Sequence, residues 1–466
     1  MSSRRSRWVA IEVAGLLLIS TLIASTPSAA AEPGVPACAP SVAELAFAQL
    51  ARKANSFQSD STYIDAVSCA PHIFPSNIGV PLTASESAEI ERRTTTGEAL
   101  HKIDQQEQIA APDRYVGSWI DPLADGKATF AYVGGATAGD TARVASSLPP
   151  GTPTSFSSGL VARLRQLSVS SYIKANFAAL WDSGIQIVGS YDDPRSGAVT
   201  IGLSSKSDSD AETRLLSAIG SGGVSVKSSA PDTWVTTQDV RTQPTGRQYG
   251  GAYISSTSNN SECTSSPSAS SPAGFFYTVT AGHCGHPGYS WVQGNSLNTN
   301  YPLGTGQGNA LYAATGTRTT DCDCQGIGPI SASKQTSGTY VDNNALFKFT
   351  RSANGPDYFV GRTLCFSGGT EYETYGHDLC GHIVSVVGQF TETPNGVSVL
   401  VTNLIQTDFN TTLNGDSGGP YGDGTVWLGT HLGIGNCSIG TCSTFSASVN
   451  VASNPNVNLT LQNLGY

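Results

Sequence analysis

The last 226 residues of this chain constrain its fold more than any other stretch. From Arg241 onward there are 7 Lys and Arg against 12 Asp and Glu, only 19 charges in all. Gly, Ser, Thr and Asn dominate, and short apolar runs such as "GFFYTVT", "NALFKFT", "HIVSVV", "VSVLVTNLI" and "TVWLGTHLG" stand between turn clusters. Such runs are the length of strands, and glycine-rich turns between many of them predict an all-β barrel or sandwich. No internal repeat is visible, and "SSTSNNSECTSSPSASSPAG" reads as a low-complexity loop.

The first half reads differently. Residues 32 to about 110 are polar and rich in Ala and Ser, with a helix expected near Ser85 to Leu100. An α+β unit is expected over about residues 113–229. Its strands are "YVGSWID" and "KATFAYVGG", its long helix lies in "SGLVARLRQLSVSSYIKANFAALWDSG", a hairpin turns at Asp192-Asp193-Pro194, and a helix "SDAETRLLSAIG" and a strand "GVSVKSS" follow. Residues Ala230 to about Gly250 look like a linker.

The N-terminus carries Arg4, Arg5 and Arg7, then the apolar run Val13 to Ala24, then Ser28-Ala29-Ala30-Ala31. That three-part pattern is a secretory signal peptide, here residues 1–31. The apolar run is too short for a spanning helix, which needs about 20 residues. No membrane association is expected after its removal. Ten cysteines in an exported chain read as disulfides. A zinc site is disfavoured, because no Cys-x2-Cys pair exists and the seven histidines are scattered, so no metal or other cofactor is expected. A net charge of -10 and a pI near 5.1 offer no basic surface to phosphates, which excludes nucleic acid as a partner.

Chemistry is concentrated in two motifs. Ser417 stands in "TLNGDSGGPY", and His283 in "FFYTVTAGHC", where an apolar run from Phe275 to Thr280 should deliver the imidazole to a strand end. A serine hydroxyl is a poor nucleophile unless a base, normally a histidine held by a carboxylate, removes its proton. Gly415 to Gly419 also satisfies the G-x-S-x-G elbow of lipases. That reading fails, because Gly418-Gly419-Pro420 obstructs the helix the elbow requires and His431 is the only histidine after the serine.

"TAGHC" followed about 130 residues later by "GDSGGP" resembles the chymotrypsin-like serine peptidases, in particular the bacterial streptogrisin and α-lytic protease branch. "CTSSPSASSPAGFF", "VGRTLCFSGGTEYETYGHDLCGHIVSV" and "GTHLGIGNC" resemble further family segments. The resemblance implies two six-stranded antiparallel β-barrels over residues 241–466, with the site between them. It also implies a pro-region, residues 32–240, that acts as folding aid and inhibitor. His283 and Ser417 would be base and nucleophile, with the N–H groups of Gly415 and Ser417 as oxyanion hole and Asp416 structural.

The third member is chosen from Asp321, Asp323, Asp342, Asp357, Asp378 and Asp408. By the family's spacing it should be Asp323, with Asp321 as fallback. The resemblance further implies disulfides Cys263–Cys284 and Cys365–Cys380, and leaves Cys322, Cys324, Cys437 and Cys442 undecided. Thr411, His431 and Gly433 fall at the substrate pocket. Thr411 carries no charge to recruit Lys or Arg, while His431 falls where glutamate-selective relatives bind the substrate carboxylate. The expected protein is a secreted, monomeric serine endopeptidase made as a zymogen and acting on protein or peptide substrates. From a different class, a catalytically idle binding or adhesion protein is the alternative.

Overall fold

The computed structural model describes residues 40, 42–70, 80–228, 247–294, 301–331, 333, 335–341, 345–370, 378–409, 411–437 and 440–461. The expected signal peptide and most of the expected linker lie outside them.

The second half folds as two antiparallel barrels. In the first, the strands run in the order Ser268–Ser270, Phe276–Thr280, Gln325–Ile330, Pro302–Asn309, Ser290–Gln293, Tyr253–Ser256 and Glu262–Thr264. The first and last of these are two pieces of one stretch, broken where Pro267 has no N–H to give to a ladder. Counted as one, they make a ring of six, with Thr460–Leu461 added outside Ser268–Ser270.

The second ring has six strands, Val399–Thr407, Gly440–Ala447, Val426–Cys437, Pro420–Asp423, Thr363–Phe366 and Leu379–Glu392, and the last pairs back onto the first. The all-β barrel expectation therefore holds, with six strands in each ring. Phe366, Leu428, Ile405, Tyr421 and Phe445 fill the second barrel. Val279, Ala269, Trp427 and Leu459 belong to a core that joins the two.

The first half opens with helices Val42–Ala54, Ser61–Cys69 and Ala84–Ala110. The last starts in a capping box between Thr83 and Glu86 and runs ten residues past the expected Leu100. The extension persists because Ile103 and Glu107 keep the buried face going, and Arg143 engages the Glu107 carboxylate at 2.8 Å.

Helix Arg163–Asp182, the hairpin Ile187–Asp193 with Ala198–Leu203, helix Ala211–Ile219 and strand Val224–Ser228 match the elements expected from sequence. Helix Ala138–Ser147 and strand Thr154–Gly159, "TSFSSG", were not anticipated. The strand has a single large apolar residue and no alternation to betray it.

The unit is also not a single sheet. Tyr115–Asp121, Lys127–Val133 and Thr154–Gly159 form one of their own, whereas Ile187–Asp193, Ala198–Leu203 and Val224–Ser228 extend the second barrel. Ile187–Asp193 pairs antiparallel to Leu379–Glu392 at Ser190–Gln389 and Gly189–Phe390. Val116, Trp119 and Ala131 pack into the same core as Phe366 and Phe445, so apolar burial is continuous across the two halves.

Candidate active site

Strands Phe276–Thr280 and Gln325–Ile330 are antiparallel neighbours, with Thr280 opposite Gln325. The first ends where the second begins, so the residues just beyond each end meet. His283, in the short turn Gly282–Cys284, and Asp323, two residues before Gln325, come together there.

Asp323 is fully buried and both its oxygens serve the histidine. Oδ1 accepts the His283 backbone N–H at 2.9 Å, and Oδ2 lies 2.6 Å from Nδ1. A carboxylate can only accept, which places a proton on Nδ1. In the neutral ring this leaves the Nε2 lone pair facing Ser417 Oγ at 2.8 Å. Burial opposes the charged ring, but the Asp323 charge and hydrogen bond outweigh it. With Glu392 adding to the pull, they raise the His283 imidazole to about 9.

Ser417 comes from the turn before Pro420–Asp423 of the second barrel. Gly415 and Gly418 there have φ of +94° and +92°. At Gly418 a Cβ would sit 2.1 Å from Thr280 Oγ1 and 2.2 Å from the Thr264 carbonyl, so this turn presses against the first barrel as only glycine allows. Thr264 Oγ1 donates to the Gly415 carbonyl at 2.7 Å, and the Thr264 N–H donates to the Ser417 carbonyl at 2.8 Å. Among the described residues, the N–H groups of Gly415 and Ser417 have no acceptor. Two uncommitted donors thus flank the hydroxyl.

Asp416, whose partner the sequence does not identify, is fully buried. It accepts the N–H groups of Thr370 at 2.9 Å and Leu413 at 2.6 Å.

Asp321 is elsewhere: its carboxylate accepts from Asn454 Nδ2 at 2.8 Å. Asp357 and Asp408 are taken up by Arg351 and His382. Asp378 is buried, and Asp342 lies outside the described residues.

Of the three expected pocket residues, Thr411 is exposed and Gly433 borders open space, with nothing within 4 Å of where a Cβ would stand. His431 is buried. Its Nδ1 lies 3.0 Å from the Tyr421 hydroxyl, and its ring packs on Phe366. Burial, reinforced by the charge on His283, pushes it down to about 3 against the pull of a Thr444 backbone acceptor.

The disulfides Cys263–Cys284 and Cys365–Cys380 are formed, and Cys322 is joined to Cys324. Cys69 and Cys442 are also disulfide-bonded.

Two residues that sequence reasoning missed support the site. Asn309 Nδ2 donates to the carbonyls of Gly282 and Gly285, at 2.8 and 3.0 Å, and so fixes the histidine turn. Glu392, on the second barrel, places Oε1 4.0 Å from His283 Nδ1. Neither is near a motif in sequence, so no local signal marks it.

Comparison with solved structures finds partial likenesses. Each of the following matches covers 46% of this chain. A serine protease described as glutamic acid specific, with a histidine triad in substrate binding, is 22% identical, covered over 100% of its length, with a TM-score of 0.36. Thermobifida fusca protease A is 24% identical and 98% covered, with a TM-score of 0.34. An α-lytic protease homolog, N4, is 21% identical and 97% covered, with a TM-score of 0.35. No protein-family model matches the chain, and no curated protein does. Over the matched part the chain resembles bacterial chymotrypsin-like serine proteases in fold.

Proposed function

We propose that the protein is an exported serine endopeptidase made as a precursor, with residues 241–466 as the peptidase and 32–240 as its pro-region. The observation that carries this is the unbroken chain Asp323–His283–Ser417, at 2.6 and 2.8 Å, beside two N–H donors without acceptors among the described residues.

In the reaction, His283 Nε2 takes the Ser417 proton as Oγ attacks a peptide carbonyl, and Asp323 holds the ring and stabilises its charged form. The N–H groups of Gly415 and Ser417 receive the developing oxyanion; losing one such donor typically costs about 2.7–4 kcal/mol. His283 then returns the proton to the leaving amine, and water releases the acyl group.

His431 is buried with its Nδ1 at the Tyr421 hydroxyl, and Thr411 carries no charge, so a neutral or apolar side chain at the cleavage site is the preference we adopt. The glutamic acid specificity of one structural neighbour is the alternative, and cleavage profiling of a peptide library separates them.

Labelling by a fluorophosphonate probe tests the nucleophile. Secreted protein should label and Ser417→Ala should not. Absence of Ser417-dependent labelling in processed material would instead support a binding or adhesion role.

A further inference from the structure

Asp323 stands between Cys322 and Cys324, and those two cysteines are joined to each other across it. The segment 321–324 belongs to no strand. Thr319–Thr320 ends before it and Gln325–Ile330 begins after it, so no ladder fixes the backbone that carries the carboxylate. Among the described residues, five hydrogen bonds to its backbone remain. The Asp323 N–H donates to Ser446 Oγ at 3.0 Å, the Cys322 N–H to Thr320 Oγ1 at 3.4 Å and the Ala310 N–H to the Cys324 carbonyl at 3.1 Å, while the Cys322 carbonyl accepts from Thr320 Oγ1 at 3.2 Å and the Asp321 carbonyl from Asn450 Nδ2 at 3.0 Å. Three of the five involve hydroxyls, which rotate.

We propose that the Cys322–Cys324 disulfide is a positioning element of the site. It closes a small covalent ring through Asp323 and thereby aims both carboxylate oxygens at His283.

The alternative, a bridge that only stabilises the fold, is weak on chain-entropy grounds. The stabilisation a crosslink gives by restricting the unfolded chain grows with the loop it closes. Here the sequence separation is 2, against 21 for Cys263–Cys284 and 15 for Cys365–Cys380. What so short a ring does constrain is the backbone rotation of the one residue inside it. Both cysteines are fully buried, packed with Ala310, Trp427 and Val451, so the ring is itself held in place by core. A positioning role suits the chemistry, since a shift on the order of 1 Å in a reacting constellation can cost about 10²-fold in rate.

The kinetic part of the test rests on the peptidase reading; the spectroscopic part does not. The full chain is expressed with Cys322→Ser/Cys324→Ser, and with Cys365→Ser/Cys380→Ser as comparison. Turnover per titrated Ser417, KM, thermal stability and the NMR signal of the His283 Nδ1 proton are measured on the processed proteins.

The expected result for the 322/324 pair is kcat lowered by about 10–100-fold with KM little changed, and an Nδ1 proton signal shifted or lost to exchange. The 365/380 pair should lose thermal stability while kcat and the signal stay as in the parent. The proposal is overturned if the 322/324 pair loses only thermal stability and keeps both kcat and the Nδ1 signal. Should the parent cleave nothing, the peptidase reading fails, while the Nδ1 signal still decides whether the ring positions Asp323.

If the serine pair does not accumulate, Cys322→Ala/Cys324→Ala leaves no polar atom in that buried site and replaces it. If that also fails to accumulate, the parent is treated with a phosphine and alkylated, and opened bridges are mapped by mass spectrometry. Loss of activity that tracks alkylation of Cys322 and Cys324 supports the proposal. Full activity in molecules alkylated at both positions overturns it.

Discussion

Asp321 and Asp323 are separated by one cysteine in sequence and by their partners in space: Asn454 holds the first, His283 the second. On the proposed mechanism, Asp323→Asn lowers kcat by about 10⁴-fold, because an amide no longer fixes the proton on Nδ1. Asp321→Asn leaves kcat near that of the parent, and steady-state kinetics on a peptide substrate separates the two. The raised His283 imidazole has a direct consequence as well. The base must be neutral to act, and the folded protein holds its proton to higher pH than the ordinary 6.5, to about 9. The acid limb of kcat/KM should therefore lie above 6.5 and activity should still be climbing at mildly alkaline pH. Glu392→Gln removes one source of that rise and moves the limb to lower pH; a limb at or below 6.5 in the parent would contradict the assignment. His283 and Ser417 were legible in the sequence because each sits in a motif whose neighbours, small residues and glycines, are needed locally. The family's spacing ranked Asp323 above Asp321, but setting Asp321 aside took the strand register that turns it to Asn454, and Glu392 required the approach of two barrels, neither of which a local pattern encodes.

At the scale of elements, the hairpin Ile187–Asp193 and Ala198–Leu203 was readable from alternation and its turn, but its destination was not. It joins the second half of the chain through Ser190–Gln389 and Gly189–Phe390, with Ser190 Oγ donating to Gln389 Oε1 at 2.9 Å and Thr391 Oγ1 to the Ile187 carbonyl at 2.7 Å. Pairing between segments some two hundred residues apart leaves no trace in either one. At Gly189 an added Cβ would stand 2.8 Å from the Gln389 carbonyl oxygen, backbone that cannot yield without opening the ladder. Gly189→Val should therefore weaken the contact by about 1–3 kcal/mol, the usual range for overpacking. The expected outcome is a lower yield of folded, soluble chain on expression, measured by immunoblot beside an exposed control such as Ser205→Ala. An unchanged yield would mean that this pairing is dispensable for folding.

For the molecule as a whole, the two halves share one sheet and one apolar core. The β-rings combine local hairpins with pairings distant in sequence, among them Trp291–Ser256, Val279–Gly326, Phe366–Tyr421 and Ile405–Phe445, and non-local pairing is what makes a topology fold slowly. Residues 241–466 diluted alone from denaturant should regain activity far more slowly than the same segment diluted with residues 32–240, with recovered activity over time as the measurement. Equal recovery would reduce the first half to a passenger. Composition and turn spacing narrowed the second half to an all-β barrel or sandwich, and the resemblance carried by its motifs implied the two barrels. The sharing of a sheet between the halves could not be read, since each half looks self-sufficient when read alone.

Strand Leu379–Glu392 is irregular where it meets the first half of the chain, its register to Val399–Thr407 shifting at three places between Ile383 and Phe390. On the proposed maturation, departure of residues 32–240 bares backbone donors and acceptors around Gln389 to solvent, an invitation to stack against a second molecule. Those three irregularities twist the bared rim out of the flat geometry a newcomer would need. On that proposal, the feature that shapes the contact between the halves doubles as protection against clumping once the second half is freed.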